Sequence, residues 1–367
     1  MLRILRNITV NIMASFIRDR DERHKFRNKY KIKSKFRKLI DDNIRLFNEN
    51  KRLLKENKDI IEKLTNLDNI IKETRNIYCG WPPVIKQLSN ISIHPSVKTN
   101  PVYLSIACIS KNEGPYLREW IEYHKIVGVE RFYFYDNESE DNTRAILEPY
   151  INDGTVVYHY IEGSCMQLPV YHDAVLRYAN QTYWLAIIDL DEFIVPNEKN
   201  NVADFLKDYE QYPGVVVNWV AFDSNGHETK PTEHGGLVTA NYTRIKKESK
   251  QWYAMNRTIK SIVHPRLVAK FINPHQAVYK GGMSPVTEDF EPIFGPFNSY
   301  CKIDKIQLNH YYCKSREEFI KKIERGNPDR LQKRVFRESI LNLENTEYDF
   351  AIQKYLPELK RVMGIAD

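Results

Sequence analysis

Beyond residue 101, short apolar runs alternate along the chain with longer stretches of helical spacing. The apolar runs have the length of β-strands and end in clusters of polar residues. They predict strands at 102–109, 131–135, 155–160, 184–188 and 215–222. The stretches between them predict helices at 116–127, 141–150 and 168–180. This β-α-β alternation is typical of an α/β domain with a mostly parallel central sheet.

A heptad pattern occupies the region before residue 78. Between residues 36 and 77 the chain contains neither Pro nor Gly, and large apolar residues recur at every seventh position, at Leu39, Leu46, Leu53, Ile60 and Leu67. A second series follows four residues later, at Asn43, Asn50, Asn57, Leu64 and Ile71. The two series predict a long helical coiled coil whose Asn layers favour a parallel homo-oligomer. One long helix packed on its own domain is the alternative.

Basic residues are concentrated ahead of the heptads. Residues 1–40 contain 13 Lys or Arg and 3 Asp or Glu, in a chain whose net charge is +7. Because apolar residues are mixed with Arg over positions 2–13, we expect this segment to contact an anionic membrane surface. A solvated helix face is the alternative. We expect no nucleic-acid partner, since aromatic side chains that could stack on bases are sparse there.

The cysteines and the apolar runs bear on location. The five cysteines are odd in number and form no Cys-x-x-Cys pair, so they indicate thiols in a reducing compartment. No apolar run reaches the length of about 18 residues that a membrane-spanning helix needs. We therefore expect a cytoplasmic protein, at most attached peripherally to the inner face of the cell membrane.

These patterns divide the chain into four parts. Residues 1–78 form the basic segment and the coiled-coil helix. Residues 79–101 form a linker, because Gly80, Pro82, Pro83, Pro95 and Pro101 interrupt helical patterning there. Residues 102–330 form the α/β domain, and residues 331–367 form a C-terminal helical extension.

Three of the predicted strands end in polar loops. The loops contain, in order, Lys111, Asn112 and Glu113; Asp136 and Asn137; and Asp189 and Asp191. Because parallel strands end at one edge of a sheet, we expect the loops to converge. Asp189 and Asp191 are two positions apart in extended chain and point to the same side. Their carboxylates suit Mg²⁺ or Mn²⁺ held against a diphosphate.

Taken in this order, the loops resemble those of GT-A glycosyltransferases, specifically family 92 and the neighbouring family 2-like bacterial enzymes. The resemblance covers about residues 102–326. The residues that carry it are Lys111-Asn112-Glu113, the helix from Leu117 to His124, Tyr135-Asp136-Asn137, Leu190-Asp191-Glu192-Phe193 and Asn309-His310-Tyr311-Tyr312. It implies that residues 102–330 form a catalytic domain with a GT-A fold, which is Rossmann-like.

The resemblance also implies roles for individual residues. His310 joins Asp189 and Asp191 as a metal ligand, and an imidazole ligand favours Mn²⁺ over Mg²⁺. The residues implied in binding the UDP-sugar donor are Lys111, Asn112, Glu113, Asp136, Asn137, Asp189, Lys260, His275 and Lys314. Within this set, Asp136 and Asn137 carry the acceptor and donor groups that can read a base edge.

The catalytic base is less clearly marked. An inverting transferase needs a carboxylate that takes the proton of the attacking hydroxyl. Asp223 and Glu233 follow the predicted strand at 215–222, and either one suits this role.

The sequence thus predicts a metal-dependent, inverting glycosyltransferase. It moves a hexose, galactose by family resemblance, from a UDP-sugar to a glycan or lipid-linked glycan acceptor in surface polysaccharide synthesis. One alternative is a coiled-coil adaptor whose α/β domain binds a nucleotide without turnover. The alternative of a phosphatase of the haloacid-dehalogenase kind is less favoured. That chemistry usually places its Asp-x-Asp motif on the first strand, whereas here three predicted strands precede the strand that ends in the Asp pair, and Glu192-Phe193 follows the pair.

Overall fold

The computed structural model of the chain describes residues 102–246, 255–331 and 334–366. The predicted basic segment, coiled coil and linker lie outside these residues, so they remain predictions from sequence. In the ranges that the structure describes, no helix has both the length and the apolar character needed to cross a bilayer.

A mostly parallel sheet of eight strands forms the centre of the described structure, in the order β3-β2-β1-β4-β8-β6-β11-β5. The pairings run parallel except where β8 lies between β4 and β6 and where β5 pairs with β11. The strands of this sheet are β1 (Val102–Ser110), β2 (Arg131–Asn137), β3 (Val156–Ile161), β4 (Thr182–Ile187), β5 (Glu192–Pro196), β6 (Gly214–Ala221), β8 (Ile259–Val263) and β11 (Ile306–His310). Two small two-stranded sheets accompany it, formed by β7 (Arg244–Lys246) with β12 (Thr346–Tyr348) and by β9 (Val268–Asn273) with β10 (Gln276–Tyr279).

Helices connect the parallel strands. Three of them join β1 to β4 in sequence order, namely α1 (Gly114–Ile126), α2 (Thr143–Asn152) and α3 (Gln167–Tyr178). The others are α4 (Val202–Leu206), α5 (Val238–Asn241), α6 (Arg316–Arg325), α7 (Glu338–Leu341) and α8 (Leu356–Met363). Each strand and helix predicted between residues 102 and 222 is present, with ends within two residues of the prediction. The predicted α/β class with a mostly parallel sheet is therefore confirmed.

The central strands are buried on both faces, which explains why their sequences are almost continuously apolar. Leu104 and Ile106 of β1 and Trp184 and Ala186 of β4 have no exposed surface. Helix α1 covers one face with Trp120, which belongs to the same buried cluster. Burial of these strands brings their polar carboxyl ends to a fixed edge of the sheet.

The C-terminal residues pack into this same core. Ile352 and Leu359 are buried members of the cluster that contains Trp120. Arg118 of α1 also donates a hydrogen bond to the carbonyl of Val362 over 3.2 Å. The segment predicted as a helical extension therefore shares its apolar core with the sheet domain.

Helix α6 begins at a capping box directly after the loop that leaves β11. Ser315 is the N-cap residue, and its hydroxyl accepts a hydrogen bond from the backbone N–H of Glu318. The Glu318 carboxylate in turn accepts one from the backbone N–H of Ser315 over 3.0 Å. This reciprocal pair fixes where the helix starts. It thereby determines which side chains α6 presents to the strand ends.

Candidate active site

One cavity lies at the carboxyl ends of the parallel strands. It is lined by residues from the β1, β2 and β4 ends, by Trp219 of β6 and by His310 at the end of β11. Helix α6 closes one side with Lys322 and Arg325. The predicted convergence of three strand-end loops is thus confirmed, since Lys111, Asn137 and Asp189 all border this cavity.

Asp189 is held by three hydrogen bonds. Its Oδ1 accepts from the Gln167 amide over 2.8 Å and from the Tyr171 hydroxyl over 3.0 Å. Its Oδ2 accepts from the Lys260 ammonium over 2.8 Å. Burial raises the pKa of Asp189, but the charge and the hydrogen bond of Lys260 act together against it and the net shift of the pKa is downward. Asp189 is therefore an ionised acid whose two oxygens are already engaged.

Glu192 orients the loop that carries both aspartates. It is fully buried, and its Oε2 accepts a hydrogen bond from the backbone N–H of Asp189 over 2.8 Å. Its Oε1 accepts one from the indole N–H of Trp219 over 2.8 Å. Burial raises the pKa of Glu192 well above its usual range, although the ammonium of Lys260 opposes the shift. Glu192 thus links the Asp loop to the aromatic wall of the cavity.

Asp191 faces two basic side chains. The Lys322 ammonium donates to Asp191 Oδ2 and also to the carbonyl of Tyr312 over 2.7 Å. His310 Nε2 lies 3.6 Å from the same Oδ2. Burial raises the pKa of Asp191, but Lys322 and then His310 outweigh it and the pKa falls well below its usual range. Burial also lowers the pKa of Lys322 to about 8, against the opposing charge of Asp191.

Two of these side chains, Asp191 and His310, can ligate a divalent cation. Within the described ranges, no group of three or more His, Cys, Asp or Glu side chains is arranged to hold a metal ion. Asp191 Oδ2 and His310 Nε2, at 3.6 Å, have a separation that two ligands about 2.1 Å from one cation can span. Burial lowers the pKa of His310, which favours the neutral imidazole that metals bind. Asp191 and His310 therefore fit a cation that takes further ligands from a donor and water, whereas the oxygens of Asp189 are engaged elsewhere.

Four of the other predicted donor-binding residues border the cavity, namely Lys111, Glu113, Asn137 and His275. Glu113 forms an ion pair with Arg325, whose guanidinium also donates to the carbonyl of Lys111 over 2.7 Å. The β1 loop and α6 are thereby tied together beside the Asp loop.

His275 belongs to the aromatic wall. Its ring meets that of Trp219 edge-on at 5.0 Å, and its Nδ1 lies 3.0 Å from the carbonyl oxygen of Ile259. Burial lowers the pKa of His275 to about 3, and the nearby charge of Lys260 acts in the same direction. His275 is thus a neutral side chain at this wall.

Four predicted donor-binding residues do not border this cavity, namely Asn112, Asp136, Lys260 and Lys314. Asn112 accepts a hydrogen bond from the backbone N–H of Glu140 over 2.7 Å, which ties the β1 loop to the β2 loop. Asp136 accepts from the backbone N–H of Ser139 over 2.9 Å and from the Tyr158 hydroxyl over 2.7 Å.

Lys314 lines an adjacent cavity instead, where its ammonium lies 4.0 Å from the ring centroid of Tyr116. Lys260 contributes through its hydrogen bond to Asp189. Most of the residues predicted to bind the donor therefore lie around one cavity, whereas Asn112 and Asp136 form contacts between loops.

Neither predicted catalytic base borders the cavity. Asp223 is fully buried, and its carboxylate binds Arg244 over 2.7 Å and the backbone N–H groups of Asn225 and Leu343. Glu233 is exposed in the turn Glu233–Gly236. Each of them follows a strand end in sequence, but Asp223 is engaged by structural partners and Glu233 faces solvent. The structure does not bring either acid to Asp191.

Lys322 and Gln167, which contact the two aspartates of the cavity, were not predicted from sequence. Lys322 reaches Asp191 from a position 131 residues later in the chain. A signal for it exists, because Lys322 and Arg325 are three residues apart in a helix that starts at a Ser-x-x-Glu capping box. That spacing places both cations on one helix face. Gln167 carries no local signal that separates it from any polar residue at a helix start.

The family model of glycosyltransferase family 92 matches residues 101–340. A family 92 protein of Ricinus communis is 28% identical over 178 residues, which are 45% of this chain and 31% of that protein. A family 92 protein of Oryza sativa subsp. japonica is 29% identical over 143 residues, covering 38% and 24% of the two chains. Galactan beta-1,4-galactosyltransferase GALS3 of Arabidopsis thaliana is 25% identical over 149 residues, covering 37% and 30%. The chain thus matches less than a third of the length of these relatives.

Solved structures resemble the chain only distantly. The structure of S. aureus TarS 1–349 in complex with UDP matches with a TM-score of 0.30 and 14% identity, over 45% of this chain and 48% of that one. A similarity this low supports no conclusion about fold or ligand.

Proposed function

Because this chain belongs to glycosyltransferase family 92, we propose that it transfers a sugar from a nucleotide-sugar donor to a hydroxyl group of a glycan acceptor. The observation that carries the proposal is the cavity at the carboxyl edge of the sheet, where Asp191, His310 and Lys322 meet. Ligands of open α/β sheets bind at this edge. With it we propose that the mostly parallel sheet is of the GT-A class.

The charges of the cavity suit a UDP-sugar. The bond that breaks leaves negative charge on a diphosphate, and cations placed beforehand stabilise that charge. Lys111, Lys322 and Arg325 border the cavity and supply positive groups. A Mn²⁺ or Mg²⁺ ion held by Asp191 and His310 would act as a Lewis acid on the same diphosphate. Asp189, fixed by Lys260 and Gln167, would shape the edge against which the ribose or the sugar lies.

The transferred sugar is proposed to be a hexose, with galactose as the first candidate. Support comes from two relatives whose names state galactan beta-1,4-galactosyltransferase activity, at 25% and 27% identity. Trp219, whose indole is fixed by Glu192, offers an aromatic wall on which a sugar ring can pack. We propose a glycan or lipid-linked glycan of a surface polysaccharide as the acceptor.

Inversion at the anomeric carbon remains part of the proposal. It requires a base on the acceptor side of the sugar. The two predicted bases, Asp223 and Glu233, do not line the cavity, and we propose that another group of the cavity takes this proton. Attachment of the basic segment to the inner face of the membrane and oligomerisation through the heptads are proposed from sequence alone.

A donor screen on the purified full chain tests the proposal. UDP-, GDP- and dTDP-sugars are supplied with Mn²⁺, with Mg²⁺ or with EDTA, and released nucleoside diphosphate and glycan product are measured. The wild type is compared with Asp191→Asn and with Asp204→Asn, a control at an exposed carboxylate that pairs with Lys207. We expect turnover with a UDP-hexose, loss of at least about 100-fold in Asp191→Asn and no loss in the control.

Other outcomes separate the alternatives. Tight nucleotide binding without turnover of any donor would favour the adaptor. Release of inorganic phosphate from a phosphomonoester would favour the phosphatase. A turnover rate that Asp191→Asn leaves unchanged would overturn the proposed site, and activity that survives EDTA would overturn its dependence on metal.

A further inference from the structure

We infer that the Lys322 ammonium and a divalent cation compete for one oxygen of Asp191, so that the cation binds only when Lys322 leaves. The inference deepens the proposed function and rests on its proposed cation ligands. It assigns to Lys322 the role of an internal cation that neutralises Asp191 until a divalent cation binds.

The competition follows from the geometry around one atom. Lys322 donates to Asp191 Oδ2, and His310 Nε2 lies 3.6 Å from that same oxygen. A cation bound between the carboxylate and the imidazole needs this Oδ2 as its ligand. The ammonium of Lys322 occupies the oxygen from the α6 side, where it is also held by the carbonyl of Tyr312. Two cations on one carboxylate oxygen would lie within a few ångströms of each other and repel strongly.

The environment of Lys322 makes this competition stronger than it would be at the surface. The side chains of Lys322 and Asp191 are each only 9% exposed, so water screens their attraction poorly. The ammonium also lies over the ring of Tyr312, 3.9 Å from its centroid. Removing the positive charge would leave Asp191 in need of another cation. A divalent ion can supply that charge.

A second cavity lies next to Lys322. Its side chain borders both the cavity at Asp191 and the adjacent cavity lined by Tyr116, Lys314 and Glu318. A lysine stem has four carbons and moves its ammonium over several ångströms by changing rotamer. Since α6 is anchored at its start by Ser315 and Glu318, the side chain can move while the helix stays in place. Lys322 therefore behaves as a counter-ion that a bound cation expels.

Binding of Mn²⁺ to the full chain without donor tests the inference. Free Mn²⁺ is followed by its electron paramagnetic resonance signal in wild type, Lys322→Met and Lys322→Gln. The control is Lys321→Met, which removes an exposed ammonium that pairs with Glu317. Thermal unfolding checks that each variant is folded, and the two uncharged replacements guard against a packing defect in one of them.

We expect both Lys322 variants to bind Mn²⁺ about tenfold more tightly or better, equivalent to about 1.4 kcal/mol, and the control to match the wild type. Adding Asp191→Asn to Lys322→Met should abolish the gain. Equal or weaker Mn²⁺ binding in the folded Lys322 variants would overturn the inference, as would absence of Mn²⁺ binding in every form. Tighter Mn²⁺ binding without any sugar transfer would instead support the inference and overturn the proposed function.

Discussion

Lys260 donates a hydrogen bond to Asp189 over 2.8 Å, although the two residues are 71 positions apart in the chain. The contact exists because β8 runs antiparallel between β4 and β6. Ile187, at the end of β4, pairs with Ser261 of β8, so Lys260 lies just beyond the end of β4. An antiparallel strand inserted beside a parallel one thus delivers a cation to the loop that carries the two aspartates.

Replacing Lys260 by Met should destabilise the fold. Lys260 is almost fully buried and also lies 3.8 Å from the fully buried Glu192. Without its ammonium, Asp189 keeps a charge that only neutral donors contact. We expect a loss of about 2 to 4 kcal/mol in the free energy of unfolding. This is less than for a fully buried broken ion pair, because 28% of the Asp189 side chain is exposed and water screens its charge. Urea denaturation measures the change.

A second substitution separates charge from packing. Lys260→Met combined with Asp189→Asn should recover part of the lost stability, because the uncompensated charge is then absent. Lys207→Met serves as the matched control, since Lys207 is an exposed lysine that pairs with Asp204. A double variant no more stable than Lys260→Met would contradict the electrostatic explanation.

The strands and helices from β1 to β4 could be predicted because their patterns are local. Each strand is a short apolar run, and each ends in a polar loop. Strand β8 could not be predicted in this way, since Lys260 and Ser261 interrupt the apolar residues of 259–263 and the segment shows neither an apolar run nor its pairing direction. Lys260 was implied by family resemblance alone, and Lys322 was not predicted. Both reach the aspartates through contacts that sequence periodicity does not record.

Sequence patterns also do not separate functional from structural acids at the ends of strands. Asp189 and Asp223 each follow an apolar strand, so this position alone does not distinguish them, and only Asp189 has a second acid, Asp191, two residues later. Asp189 borders the cavity, whereas Asp223 is fully buried against Arg244 of β7, a partner 21 residues later. A polar residue at a strand end has either a structural or a functional use, and the choice depends on which partner the fold brings to it.

Glu119 joins α1 to the start of α5. Its carboxylate accepts hydrogen bonds from the backbone N–H groups of Val238 and Thr239 and from the Thr239 hydroxyl, over 2.8 to 2.9 Å. Replacing Glu119 by Ala leaves three buried donors without an acceptor. We expect a loss of about 2 to 4 kcal/mol in unfolding free energy by urea denaturation. Glu148→Ala, at an exposed helix position, should change it little. A small effect at Glu119 would show that water replaces the carboxylate.

Ser315 anchors the helix that presents Lys322. Its hydroxyl donates to Glu318 over 2.6 Å and accepts from the Glu318 N–H, so Ser315→Ala removes both hydroxyl contacts and leaves only the bond from the Ser315 backbone N–H to the Glu318 carboxylate. We expect a cost of about 1 kcal/mol in unfolding free energy. Ser315→Thr keeps the hydroxyl and should retain most of the stability. If both variants lost the same unfolding free energy, the cause would be the changed side-chain volume at this fully buried position rather than the cap.

His124 should contribute to the pH dependence of the free energy of unfolding. The residue is fully buried between α1 and β5, and burial lowers its pKa to about 3. In the unfolded chain a histidine titrates at about 6.5. Between about pH 6.5 and pH 3 the unfolded state therefore binds a proton that the folded state does not. Stability contributed by His124 is complete above pH 6.5 and decreases as the pH falls, by up to about 1.4 kcal/mol per pH unit.

Carboxylates and other buried histidines also titrate on acidification, so measurements on the wild type alone do not separate the contribution of His124. His124→Gln keeps a neutral side chain that can hydrogen-bond, and the difference between its urea stability and that of the wild type is measured at pH 7.5 and at pH 5. Because the other groups contribute equally to both proteins, the disadvantage of His124→Gln should shrink or reverse at pH 5. His234→Asn, at an exposed turn position with positive φ, should keep the wild-type pH dependence. Parallel curves for His124→Gln and wild type would mean that the folded protein accommodates the protonated imidazole.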